Sequence, residues 1–199
     1  MSRVEEPKEQ ERPPEFPELE TPRLRLRDIR PTDAENFFEF SEDPEMADYF
    51  GSSNHYKSEI ATRERIKERI EKQIGFKPGR YSWIVESRES EKFLGEVGLH
   101  SIDLKNQSGE LARGLVAEAR GKGFGAEAAR AVLDFAFGAL GLNRVQAMTR
   151  TTNARSQRSL EALGFSREGK LRQYWIVDDE PATVYMYSLL RSEYEKETT

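Results

Sequence analysis

The stretch Val116–Leu140, VAEARGKGFGAEAARAVLDFAFGAL, decides how the rest of the chain is read. It starts at the end of an apolar run, crosses a glycine cluster carrying Arg120 and Lys122, and enters a strongly patterned segment. There Ala129, Val132, Leu133, Ala136, Phe137 and Leu140 recur at i, i+3, i+4, i+7, i+8 and i+11, one broad apolar face of a helix. Strand, basic glycine loop and helix together present bare backbone N–H groups to an anion. Glycine allows a tight turn and close approach, and the helix N-terminus adds partial positive charge. The stretch therefore predicts a site for a phosphorylated ligand.

Upstream, three strands are expected. Tyr81–Ser87 and Lys92–Ile102 are joined by the polar turn Arg88–Glu91, and Gly109–Val116 follows the turn at Asn106–Gly109. Gly95 and Gly98, inside the second, mark a bulge or a close backbone approach. Earlier, Leu24-Arg25-Leu26-Arg27 alternates as a half-buried strand. Thr32 and Glu35 have capping-box spacing before a helix with Ala34, Phe37 and Phe38 on its apolar stripe. The segment with Tyr49, Phe50, Gly51 and Asn54-His55 has no clear period and reads as an aromatic loop, either a pocket wall or a packed connection. From Ser58 to about Ile74 a charged surface helix is expected, with Ile66, Ile70 and Ile74 as its narrow stripe.

Downstream, Gly141 ends the long helix and Arg144–Thr149 is the next strand. A second helix, Ala154–Leu163, should stop at Gly164-Phe165 as a Schellman motif with Phe165 against Leu160. Two last strands, roughly Glu168–Val177 and Thr183–Leu190, flank the turn Asp178–Pro181. The order predicts an α+β fold: a mixed, mostly antiparallel sheet of about seven strands with helices on both faces. Residues 1–18 are charged and proline-rich and read as a disordered arm, leaving 19–199 as one domain.

Composition narrows the function. Cysteine is absent, so disulfides, thiolate metal sites and a cysteine nucleophile are excluded. Charged residues make up 34% with both signs mixed and a formal net charge of −5, which gives no domain-wide footprint for nucleic acid and suits amine-bearing partners better than acidic ones. No apolar run approaches the ~20 residues of a membrane span, and the expectation is a soluble, cytoplasmic protein with no metal. A homodimer stays open beside a monomer.

The glycine loop is not a Walker loop, because Lys122 is followed by Gly123 and no Ser or Thr is placed for magnesium. Gly121, Gly123 and Ala126 satisfy the permissive dinucleotide pattern, with Arg150 as a conceivable 2′-phosphate reader. Three preceding antiparallel strands argue against that reading. Arg120-x-x-Gly123-x-Gly125 instead resembles the acyl-CoA pyrophosphate loop of the GNAT superfamily of N-acetyltransferases. Asn153-x-x-Ser156 leading to Leu163-Gly164-Phe165 looks like that family's second signature. Tyr187–Glu193 resembles the C-terminal strand of the branch containing the bacterial ribosomal-protein N-terminal acetyltransferases.

The resemblance, covering about residues 20–195, implies acetyl-CoA as donor and an amine as acceptor. Backbone N–H groups of Gly121, Lys122, Gly123, Phe124 and Gly125, with Ala126 next, would cradle the pyrophosphate, and Arg120 and Lys122 would neutralise it. Leu115, Val116 and Ala117 would pair by backbone with the pantetheine arm, one of Leu115 and Val116 supplying the oxyanion donor. Asn153 would hydrogen-bond the arm, though it is equally an N-cap. Ser156 is the candidate general acid beside the sulfur, against the competing reading of a helix-terminal hydroxyl that satisfies backbone. Glu110 is the candidate base, with Glu96 and His100 as neighbours and a water relay as the alternative. Arg113, where related enzymes carry an aromatic, and Thr183, where many carry an aspartate, depart from the branch. They motivate the rival reading of a non-catalytic acyl-CoA-binding domain.

Overall fold

The computed structural model describes residues 16–43, 46, 64, 67–68, 76–77, 79–177 and 179–197. The aromatic loop around Tyr49–His55, the isoleucine stripe at Ile66, Ile70 and Ile74, Asp178 and residues 1–15 of the expected arm lie outside the described residues. In chain order the elements are β1 (Leu19–Glu20), β2 (Leu24–Arg27), α1 (Ala34–Glu42), β3 (Phe76–Lys77), β4 (Arg80–Ser87), β5 (Phe93–Asp103) and β6 (Ser108–Leu115). Then come α2 (Phe124–Asp134), prolonged by a wider π turn Phe135–Ala139, β7 (Arg144–Arg150), α3 (Ala154–Glu161), β8 (Ser166–Val177), β9 (Glu180–Leu190) and α4 (Arg191–Glu197).

One sheet contains all nine strands found among the described residues, in the order β1-β2-β4-β5-β6-β7-β9-β8 with β3 on β4. Two of them are only two residues long, so the seven expected strands are the seven substantial ones. Every neighbouring pair is antiparallel except β6 and β7. Alternation along the strands divides the core between the two faces. Tyr81, Trp83 and Val85 pack under α2 with Ala129, Val132, Leu133 and Ala136, while Ile84 packs with Phe37 and Phe40 of α1 on the opposite face. Gly141, which follows the C-cap Leu140 of the π turn, adopts φ +67°. The expected Schellman stop is present: Phe165 N–H donates to the Leu160 carbonyl and Gly164 N–H to that of Glu161, with both Phe165 and Leu160 buried.

Three local expectations are corrected. The arm does not run through residue 18: Phe16 lies 5.7 Å from the Trp83 ring, and Trp83 Nε1–H donates to the Pro17 carbonyl at 2.6 Å, because an indole buried in the core needs an acceptor. At the start of α1 the backbone is held by Asp33 and not by the Thr32–Glu35 pair; Asp33 accepts the Arg30 N–H at 2.6 Å. Asp33 is fixed there by two 2.8 Å bonds from Arg27, whose Nε–H also donates to Glu86 at 2.6 Å, and all three side chains are buried. The third apolar position of α1 is Phe40, fully buried, whereas Phe38 is only partly covered.

Candidate active-site cleft

The cleft arises because β6 and β7 pair for three residues only, Ser108–Glu110 against Arg144–Gln146, and then diverge. An antiparallel ladder uses the backbone of alternate residues. Val116 N–H donates to the Leu94 carbonyl, so the even positions of β6 serve β5. Past the last bridge at Glu110, the odd positions of β6 therefore turn their backbone groups toward the departed β7, and of these the Leu115 carbonyl is taken up by Arg120. A bare strand edge is thus displayed along one wall of a cleft of about 400 Å³. The bulge expected near Gly95 helps to aim it. Gly95 sits at φ +143°, where an added Cβ would lie 2.2 Å from the Gly114 carbonyl oxygen, so only glycine lets β5 approach β6 here.

The glycine loop forms the mouth. Gly121 and Gly123 take φ +74° and +81°, the left-handed region that lets the chain turn back into α2 with its first N–H groups uncovered. Arg23 braces the turn: its Nη1 donates to the Lys122 carbonyl at 3.0 Å, its Nε donates to Glu127 at 2.6 Å, and its guanidinium covers the Phe124 ring at 4.5 Å. Arg120 departs from the expectation that its side chain neutralises the pyrophosphate. Its Nε–H donates to the Leu115 carbonyl at 2.8 Å and its Nη2 pairs with Asp43 at the end of α1, so its guanidinium ties β6 to α1.

Of the predicted residues, Glu110, Leu115, Arg120, Gly121, Gly123, Gly125, Ala126, Asn153 and Ser156 line the cleft together. Val116, Ala117, Lys122 and Phe124 do not. Val116 gives its N–H to β5 and packs on the α1 face, which removes it as oxyanion donor. Ala117 opens a short 3-10 turn, Ala117–Ala119, and accepts the Arg120 N–H. Lys122 is exposed at the lip.

At the vertex, where the strands part, Glu110 is half-buried opposite His100 of β5. Burial raises its carboxyl above the ordinary carboxylate range, countered in part by the Gln146 amide donating at 3.3 Å. From the other wall, Asn153 caps α3 through Oδ1, which accepts the Ser156 N–H at 3.0 Å. Two lining residues were not read as ligand contacts from sequence. Thr149 of β7 and Arg113 of β6 each carry a buried polar atom, Oγ1 and Nη1, that meets no hydrogen-bond partner among the described residues. The available signal was a lone polar side chain on an otherwise apolar strand face. Buried polar atoms of this kind in a cleft fit a ligand that supplies their partners.

A divergent strand pair with a glycine loop at its mouth forms a cleft open to an extended ligand. The family model described as "Acetyltransferase (GNAT) domain" matches residues 23–166, and the chain belongs to that family. It is an acetyl-CoA-dependent acetyltransferase. The N-acetyltransferase YoaA of Bacillus subtilis, itself uncharacterized, is 32% identical over 178 residues, 88% of this chain and 98% of YoaA. YdaF of the same organism, provisionally named a ribosomal N-acetyltransferase, is 35% identical over 103 residues, 52% of this chain and 56% of YdaF. The fold is shared with spermidine N-acetyltransferase from Vibrio cholerae, whose crystal structure holds CoA and spermine: TM-score 0.73, 22% identity, 86% of this chain and 98% of that one. The dinucleotide reading fails on topology, since the loop follows the sixth strand of a mostly antiparallel sheet. Among the described residues no helix is long and apolar enough to cross a membrane.

Proposed function

We propose that the protein transfers acetyl from acetyl-CoA directly to a primary amine in a ternary complex, the donor lying between β6 and β7 and the amine arriving from the α1 face. The observation that carries this reading is the three-residue contact of β6 with β7, because it leaves a strand edge for an extended amide-bearing arm while keeping the glycine loop at one end and Glu110 at the other. The loop N–H groups hold the pyrophosphate, and Leu115 and Arg113 offer backbone groups to the arm and the thioester carbonyl. Thr149 Oγ1 and the Asn153 amide face the arm from the opposite wall. Glu110 takes the amine proton, directly or through water, and burial, which raises its carboxyl above the ordinary range, makes it a stronger base than an exposed carboxylate. Ser156, on the first turn of α3, stands as proton donor to the departing thiolate.

The acceptor is a protein or peptide α-amine or a small amine. The chain's excess of acidic residues and its likeness to YdaF and to the polyamine enzyme support both classes. An α-amine, with an unperturbed pKa of about 8, is already partly neutral at pH 7 and demands less of the base than an alkylamine. The deciding experiment incubates the protein with acetyl-CoA and a panel containing spermidine, lysine and N-terminal peptides, and follows thiol release and acetylated product. Turnover with one class assigns the acceptor. Tight CoA binding without turnover across the panel would overturn the catalytic reading in favour of a binding domain.

A further inference from the structure

Arg113 stands between Leu111 and Leu115 on one side of β6, where an apolar residue would be expected. It projects from β6 on the face shared by α2 and α3. Its Nη2 donates to Ser159 Oγ of α3 at 2.6 Å, and its Nη1 is closed to solvent with no partner among the described residues. No described carboxylate pairs with it; burial alone acts on its charge and lowers its pKa to about 10, still cationic at pH 7. A buried cation that lacks a counter-ion destabilises a fold, so a chain that keeps one needs an anion from elsewhere. The position indicates which anion. The Nε and Cδ atoms of Arg113 lie 3.6 and 3.8 Å from where a Cβ on Gly125 would stand, against the first turn of α2 whose uncovered N–H groups form the anion site. The cation that the loop signature offers for that role, Arg120, is engaged by Asp43 and the Leu115 carbonyl.

We infer that Arg113 supplies the internal positive charge for the pyrophosphate of the donor, reaching it from the floor of the cleft through Nη1 while Ser159 steadies Nη2. The inference rests on the placement of the donor in this cleft. A residue with a purely structural role and a ligand-binding residue respond differently to removal of the charge. Arg113→Met relieves an unpaired buried charge, so the unliganded variant should unfold at a temperature equal to or above that of the parent. The same variant loses a charge-assisted contact to phosphate, about 10- to 100-fold in affinity.

The test measures binding of CoA and of pantetheine, which lacks every phosphate, to the unaltered protein, Arg113→Met and Arg113→Lys. Expected are weaker CoA binding by Arg113→Met, unchanged pantetheine binding, undiminished thermal stability without ligand, and partial recovery of CoA affinity in Arg113→Lys. Equal losses for CoA and pantetheine, or unchanged CoA affinity in Arg113→Met, would overturn the assignment while leaving the cleft reading intact. If Arg113→Met does not fold, the comparison is made with Arg113→Lys, in which an equal loss for both ligands overturns it and a loss confined to CoA upholds it. Failure of the unaltered protein to bind CoA removes the cleft reading and this inference with it.

Discussion

Replacing Gly95 by alanine tests the geometry on which the cleft depends. A Cβ there would stand 2.2 Å from the Gly114 carbonyl oxygen and 2.8 Å from Leu115 Cα, both backbone atoms that cannot rotate away. Relief requires β5 and β6 to separate by about 1 Å at the bulge, or Gly95 to leave φ +143° and the register to change. The backbone strain amounts to about 1–3 kcal/mol. Overpacking adds about 1–3 kcal/mol more. The total of about 2–6 kcal/mol corresponds, at roughly 2–4 °C per kcal/mol for a domain of this size, to a fall in Tm of about 4–24 °C. The displaced strand carries Leu115, so CoA affinity should fall as well. Gly138→Ala is the matched control: Gly138 is an exposed position in the π turn after α2 with nothing within 4 Å of its added Cβ, and alanine there should stabilise by about 0.4–1 kcal/mol. Urea unfolding followed by circular dichroism measures both variants. A Gly95→Ala protein within about 0.5 kcal/mol of the parent would refute the bulge and the strand approach derived from it.

Other expectations concern charge. Arg27→Ala removes the guanidinium from the buried Asp33 and Glu86, leaving Asp33 the Arg30 N–H and Glu86 the more distant Arg30 side chain at 3.9 Å, and should cost about 3 kcal/mol, read from the shift in the denaturation midpoint. Glu168 is held down to about 2 by hydrogen bonds from Arg144 and Ser188. Its contribution is therefore complete above the ordinary glutamate range and is lost as pH falls toward about 2. With the Glu168 side chain 43% exposed it is worth no more than about 1 kcal/mol, and Glu168→Gln should flatten the acid side of the stability–pH curve by that amount. Glu110 has the opposite sign, since burial raises its pKa and ionisation works against the fold. As the base it must be deprotonated, so the acid limb of kcat/KM should lie above the usual carboxylate range and disappear in Glu110→Gln; an unaltered limb assigns the proton to water or another group.

What the sequence made legible was local. The loop and α2, the Asn153 cap and the stop at Gly164-Phe165 each depend on residues within one or two helical turns of one another, and all stand where the pattern put them. What it concealed depends on distant partners. Arg120 looks like a phosphate ligand until Asp43, 77 positions away, is found against it. Asp33 displaces the Thr32–Glu35 box because a buried Arg27 holds it from a neighbouring strand. Val116 and Leu115 are adjacent and equally apolar, and only the pairing with β5 shows which of them gives its N–H away. The substitution of Arg113 for an aromatic was visible as a departure, but its burial was not.

The brief union of β6 with β7 also sets how the molecule should yield. Six hydrogen-bonded neighbours from β1 to β6, counting β3, form one leaf and β7, β9 and β8 another, with three paired residues as the only ladder between them among the described residues. Such a seam concentrates compliance: amides along it should exchange with solvent ahead of those in the centre of either leaf. An occupant bonded to both walls would act as a splint, turning two leaves that breathe separately into one sheet that opens only when the whole domain unfolds.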